Sequence, residues 1–252
     1  MSMKDILYLG DTDLRQQGGY LAGIMSYSGM SFDYLASNLP FDENLLKNSY
    51  KAVVISDYPS SNFTASQLEQ LAAKVKQGTG LIMIGGWESF QGLEGNYSDT
   101  ALAEILPVSI SENDDRMNCS SPLLISRESL HPAVSELPFD KQTPVIGGLN
   151  KVTPKPNSDV ILKAVKFSAG KTESSSYNFS EEKSYPLLIT GSSGSSRTAA
   201  FTSDVAPHWA GQLLDWGETR IHAQAEGAEA IEVGNYYAQF FRNILKWLMK
   251  EI

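Results

Sequence analysis

Three short, unbroken apolar runs constrain the fold of this chain more than any other feature. Ile6-Leu7-Tyr8-Leu9, Ala52-Val53-Val54-Ile55 and Leu81-Ile82-Met83-Ile84 show none of the polar alternation of a half-exposed strand. They have the pattern of strands covered on both faces. Helical segments separate them. One is expected near residues 20–27, and the other is marked by a capping box at Thr64 and Gln67, a stripe of Leu68, Leu71, Ala72 and Val75, and a stop at Gly78. Strand–helix–strand alternation with runs this short predicts an α/β fold, with a mostly parallel twisted sheet flanked by helices in the flavodoxin-like manner.

The second half adds further strands. A short helix from Ala101 ends before Pro107, and a polar stretch over residues 111–121 holds Cys119. Strand-like pieces follow at Leu123-Leu124-Ile125 and Val160-Ile161-Leu162. The Ser-, Glu- and Lys-rich residues 168–184 are expected to form an exposed loop. Leu187-Leu188-Ile189-Thr190 and Thr198-Ala199-Ala200-Phe201-Thr202 are expected as strands joined by a Gly/Ser hairpin turn. Tyr237, Phe240, Phe241, Ile244 and Leu248 stripe a closing amphipathic helix. With no internal repeat and no dividing linker, residues 1–252 are expected to form one domain.

The totals exclude several classes. Apolar residues make up 42% of the 252, charged residues 19%, and the net charge is −9 with a pI near 4.9. A field of that sign repels phosphate backbones, and Lys and Arg form no cluster, so no nucleic-acid partner is expected. No apolar stretch approaches the roughly 18 residues of a membrane span. Met1-Ser2-Met3-Lys4-Asp5 leads into an apolar run shorter than the roughly 7–15 residues of a secretory core, so a cytoplasmic location is expected. The single cysteine excludes an internal disulfide. Gly170-Lys171-Thr172 lacks the upstream glycine and the strand-to-helix setting of a phosphate loop.

Parallel sheets place their ligands beyond the carboxyl ends of the strands. The positions that follow the apolar runs are Asp11, then Asp57, then Gly85-Gly86-Trp87, and later Asp204 with His208 and Trp209. Aspartate caps helices and makes turns, and a histidine beside it is often structural. The alternative is a site. There Asp11, Gly85, Gly86, Trp87 and Trp209 contact a ligand, and His208, Asp204, Asp57 and Ser89 form a catalytic group. Gly85 and Gly86 permit either a strained turn or close approach of a ligand to the backbone. His131-Pro132 reads as a turn and His222 as exposed. The apolar stretch of Trp209, Leu213, Leu214 and Trp216 suggests an exposed contact and a homo-oligomer.

Three phrases resemble the class I glutamine amidotransferase-like superfamily, and within it a bacterial branch labelled "putative glutamine amidotransferase". They are Tyr50-Lys51-Ala52-Val53-Val54-Ile55-Ser56-Asp57-Tyr58-Pro59, Gly80-Leu81-Ile82-Met83-Ile84-Gly85-Gly86-Trp87-Glu88-Ser89-Phe90, and the segment from Arg197 through Asp204 to Trp209. The resemblance implies a nucleophilic Cys in a sharp turn after a central strand, completed by a His and a Glu. The matching turn, Gly85 to Ser89, has no thiol, and no His-Pro-Glu phrase follows. The expectation is therefore a glutamine amidotransferase-like protein without glutaminase activity that binds a small molecule or a partner at the carboxyl edge. One alternative is a hydrolase whose water is activated by His208 with aspartate help, or by a metal held there. The other is a structural assembly protein. No cofactor and no metal is assigned.

Overall fold

The computed structural model describes residues 4–252. Met1, Ser2 and Met3, which enter the reading of the amino terminus, lie outside the described residues. The apolar runs form β1 (Ile6–Gly10), β3 (Ala52–Ser56) and β4 (Gly80–Ile84), each buried along its whole length. Between them lie α1 (Gly18–Tyr27), β2 (Phe32–Leu35) and α2 (Ala65–Lys76). The α2 cap is reciprocal: Gln67 N donates to Thr64 Oγ1 at 3.3 Å, and Thr64 N donates to Gln67 Oε1 at 2.8 Å.

The chain continues through α3 (Ala101–Ile105), β5 (Val108–Ser109), β6 (Arg116–Arg127), β7 (Val145–Asn150), β8 (Thr153–Pro154), β9 (Asp159–Lys171), β10 (Tyr177–Ser193) and β11 (Ser196–Phe201). It ends with α4 (Pro207–Ala210), β12 (Arg220–Ala223), β13 (Ile231–Gly234) and α5 (Asn235–Leu248). The main sheet has nine strands in the order β2-β1-β3-β4-β11-β10-β9-β6-β7. From β2 to β11 the ladders are parallel. From β11 to β7 they are antiparallel. The mixed sheet flanked by helices is the α/β architecture expected, with the second-half strands extending one side of it.

Alternate residues of the central strands feed two cores. Ile6, Tyr8, Val54, Ile82, Ile84 and Phe201 pack under α1 and α5, whereas Leu7, Val53, Ile55, Leu81 and Met83 pack under α2 and α3. The α5 stripe of Tyr237, Phe240, Phe241, Ile244 and Leu248 is almost wholly buried. Five such side chains represent roughly 10 kcal/mol of gross hydrophobic stabilisation.

Two expectations need correction. Residues 168–184 are not a loop. They are the outer part of a ribbon in which Lys171 pairs with Tyr177, Ala169 with Phe179 and Phe167 with Glu181. The polar composition reflects exposure, not conformation, because two strands beyond the core satisfy each other's backbone groups. The Phe167 and Phe179 rings add a contact with 5.9 Å between centroids. The apolar stretch from Trp209 to Trp216 is not exposed either: Trp209, Leu213, Leu214 and Trp216 are all buried. Trp209 Nε1 donates to Asn118 Oδ1 at 2.7 Å and Trp216 Nε1 to the Gln142 carbonyl at 2.7 Å. The surface on which a homo-oligomer was expected is thus internal packing. The 191–196 turn is a hairpin as expected, with Ser193 opposite Ser196 and Gly194 at φ 58°.

Candidate functional site

The strands β1, β3, β4 and β11 are parallel neighbours, so the residues after them collect at one edge. Asp11 and Asp57 follow β1 and β3 with φ of 43° and 48°. Aspartate tolerates this left-handed region better than most residues, and the sharp turn lets each carboxyl point back across the strand ends. Asp204 lies three residues beyond β11, and α4 begins at Pro207. A cavity of about 760 Å³ opens here, lined among others by Asp11, Asp57, Trp87, Glu88, Asp204 and His208.

The carboxyl groups carry the electrostatics. Asp11 Oδ2 accepts from the Tyr8 hydroxyl at 2.6 Å, Asp57 Oδ1 from Glu88 N at 2.8 Å, and Asp204 Oδ1 from Ala206 N at 2.9 Å. Burial pushes the Asp11 carboxyl up to about 7, against the lowering effect of its hydrogen bonds. It pushes Asp204 up to about 8, with the Asp11 charge adding to the shift. Asp57 is raised well above the usual carboxylate range by burial, then by the charges of Asp204 and Asp11. Burial also raises Glu88. Crowded carboxyls in a poorly solvated cleft cannot all ionise, so at neutral pH the group retains protons.

A buried network holds the turn after β4. Gly86 N donates to Asn150 Oδ1 at 2.9 Å, and Asn150 Nδ2 donates to the Gly86 carbonyl at 3.1 Å and to Asp115 Oδ1 at 2.7 Å. Asp115 also accepts from Gln91 N and Gly92 N. Gly85 N donates to the carbonyls of Phe201 and Ser203. The N–H groups of both glycines are thus engaged within the protein. What these glycines supply is room: a Cβ on Gly86 would lie 2.0 Å from Asp57 Oδ1, and one on Gly85 would lie 2.1 Å from the Thr202 carbonyl oxygen. Neither adopts positive φ, so a strained turn is not their reason.

The sequence-derived residues therefore divide. Asp11, Asp57, Trp87, Asp204 and His208 line one cavity. Trp87 stands at its mouth, 43% exposed, with the His208 ring edge-on at 5.9 Å and the Arg116 guanidinium over its ring at 4.5 Å. Ser89 is buried, and its Oγ accepts from Asp57 N at 2.9 Å, which makes it a support for the Asp57 turn. Trp209 packs inward, where a Cβ on Gly148 would fall 2.4 Å from its ring. Cys119 lies within β6, and burial pushes its thiol up. His131 accepts from Ala133 N and packs against Trp247. His222 is exposed beside Glu232.

Glu88, Thr12, Gln16, Gln17 and Ser37 also line the cavity and escaped the sequence reading. Glu88 had a signal, since it stands between Trp87 and Ser89. Ser37 had none, because it is carried in from the chain beyond β2. Among the described residues no three His, Cys, Asp or Glu side chains are placed to share a metal ion, and no helix is long and apolar enough to cross a membrane.

The mixed sheet flanked by helices is consistent with the class I glutamine amidotransferase-like fold. Residues 20–250 match the family described as "Putative glutamine amidotransferase", and the chain belongs to that family. It is 25% identical to "Cytoplasmic Protein STM3548" of Salmonella typhimurium, with a TM-score of 0.73 over 97% of this chain and 98% of that one. A second Salmonella typhimurium LT2 structure, "Cytoplasmic Protein STM1381", is also 25% identical, with a TM-score of 0.72 over 97% and 99% of the two chains. The β-galactosidase from Bacillus circulans sp. alkalophilus shares the fold alone, at 9% identity and a TM-score of 0.53 over 98% of this chain and 31% of that one. No curated protein matches the sequence.

Proposed function

We propose that this chain is a cytoplasmic glutamine amidotransferase-like protein that does not hydrolyse glutamine and instead binds a small molecule in the cavity at the carboxyl edge of its sheet. The observation that carries this reading is the composition of that cavity. Asp11, Asp57 and Asp204 converge where a glutaminase would need a thiolate and its base. The only thiol is elsewhere, in β6. The Gly86 N–H, a natural donor to a developing oxyanion, is held by Asn150. A cavity of about 760 Å³ falls within the roughly 300–1,000 Å³ common for small-molecule sites.

The hydrolase alternative has less support. His208 forms no hydrogen bond or ion pair with Asp11, Asp57 or Asp204 and rests edge-on against Trp87. Ser89, the hydroxyl of the candidate catalytic group, is buried and engaged with Asp57 N.

Two measurements on the purified chain test the proposal. Incubation with glutamine should release no ammonia above the protein-free rate. A thermal-shift screen of small metabolites should find compounds that stabilise the parent chain and not Asp57→Asn. Glutamine-dependent ammonia release that disappears in Asp57→Asn or His208→Gln would overturn it.

A further inference from the structure

The identity of the ligand is constrained by what the cavity leaves unbalanced. Among its lining residues are four carboxyl groups, Asp11, Asp57, Glu88 and Asp204, and no Lys or Arg. The nearest guanidinium, Arg116, lies over Trp87 and is paired with Asp114 at 2.8 Å. Asp11 and Asp204 are 4% and 7% exposed, so each is more than nine-tenths buried while still facing the cavity. Asp204 receives one hydrogen bond, from Ala206 N to Oδ1, and Asp57 one to its carboxyl, from Glu88 N to Oδ1. Among the described residues no hydrogen bond reaches Oδ2 of either. These oxygens are open to the cavity, not sealed within the protein. With Asp11 adjoining, they form an acceptor set that a donor-rich cation would satisfy.

We propose that this cavity binds a small organic cation, whose ammonium or guanidinium head donates to Asp57 and Asp204 with Asp11 behind them, while its apolar body lies against Trp87. This rests on the reading of the cavity as a small-molecule site and narrows it. An anionic ligand would meet like charge, and a neutral polyol would do nothing to offset the charge that the cluster takes on as it ionises. A cation instead replaces the protons that the empty group retains. The carboxyls ionise around it and the displaced protons go to solvent. Affinity then rises with pH while the carboxyls of the empty site are still protonated. It stops rising once they have ionised, and it falls only when the ligand's own amine, near 10 for an ordinary alkylammonium, loses its charge. The other titratable groups facing the cluster are Tyr8 on β1, Tyr34 on β2, Glu88 after β4, His208 on α4 and Tyr237 on α5. Only His208 lacks a carboxyl or phenol.

Isothermal titration of the full chain with four probes tests this. The probes are 1,4-diaminobutane, butylguanidinium, glucose and acetate, each at pH 6 and pH 8 and in two buffers of different ionisation enthalpy. At least one of the two cations should bind, roughly tenfold tighter at pH 8 than at pH 6 for each carboxyl of the empty site that titrates near 7. The buffer dependence should show net proton release. Binding should be lost in Asp204→Asn, whose fold is checked by near-UV circular dichroism, and the pH dependence should persist in His208→Gln. If neither cation binds at 10 mM at pH 8, or binding survives in Asp204→Asn, the cation assignment is wrong. Glucose or acetate binding that Asp204→Asn abolishes would overturn the cation while leaving the small-molecule site standing. If none of the four probes binds and the metabolite screen is also negative, both readings fall.

Discussion

Asp204 makes a heavy residue-scale demand on this fold, because burial holds its carboxyl near 8 in the folded chain against 3.8 for the free side chain. Asp11 does the same with a value near 7. An acid with a raised folded pKa binds its proton more tightly folded than unfolded. Its effect is therefore harmless below about pH 4, where both states are protonated, and grows unfavourable as pH rises toward the folded value. From about pH 4 to about pH 8 these groups should erode stability. Asp204→Asn keeps an acceptor for Ala206 N and cannot ionise. It should leave the melting temperature nearly unchanged at pH 3.8 and below and raise it by several degrees at pH 8, a gain on the order of a few kcal/mol. Parallel melts of the two chains across this range would show it, and equal pH profiles would mean that Asp204 is not buried as described. The sequence made these aspartates legible because they follow apolar runs. It could not show their mutual proximity, which depends on β11 crossing the chain to pair with β4.

At the scale of elements, the turn after β4 works as one piece. Asn150 at the end of β7 clamps both backbone polar groups of Gly86, and Gly86 in turn makes space for the Asp57 carboxyl after β3. Gly86→Ala would push a methyl group to 2.0 Å from Asp57 Oδ1. Displacement of that carboxyl should cost about 1–3 kcal/mol, with loss of its bond from Glu88 N. Chemical denaturation should show the drop, and ligands of the cavity should lose their effect in the same variant. Unchanged stability would contradict the packing. Helices were easier to foresee than the long strands. The Thr64–Gln67 cap and the α5 stripe state their period openly, whereas β6, β9 and β10 run from core to solvent and change pattern along the way. Trp209 was misjudged for a related reason. An apolar residue near a strand end announces burial, but not which side of the strand covers it, and Gly148 leaves the slot that takes the indole inward.

Considered whole, the molecule joins a parallel half made early in the sequence to an antiparallel half made late, and β11 is the seam, with β4 on one side and β10 on the other. The first four strands and three helices precede it by more than ninety residues. A chain ending at residue 195 lacks β11, Asp204 and α5, and leaves the inner side of β4 without a neighbour. It should show no cooperative thermal transition, and a sharp transition in that fragment would establish that the first half folds alone. The parallel pairing of β4 with β11 thus sets a timetable. Pairing across so long an intervening chain is slow to form, and a growing polypeptide must wait with an apolar strand unguarded until β11 has been made. The acidic cleft comes into existence only when that wait ends. A ligand that recognises it therefore recognises finished molecules alone, and its binding would hold shut the last joint to close.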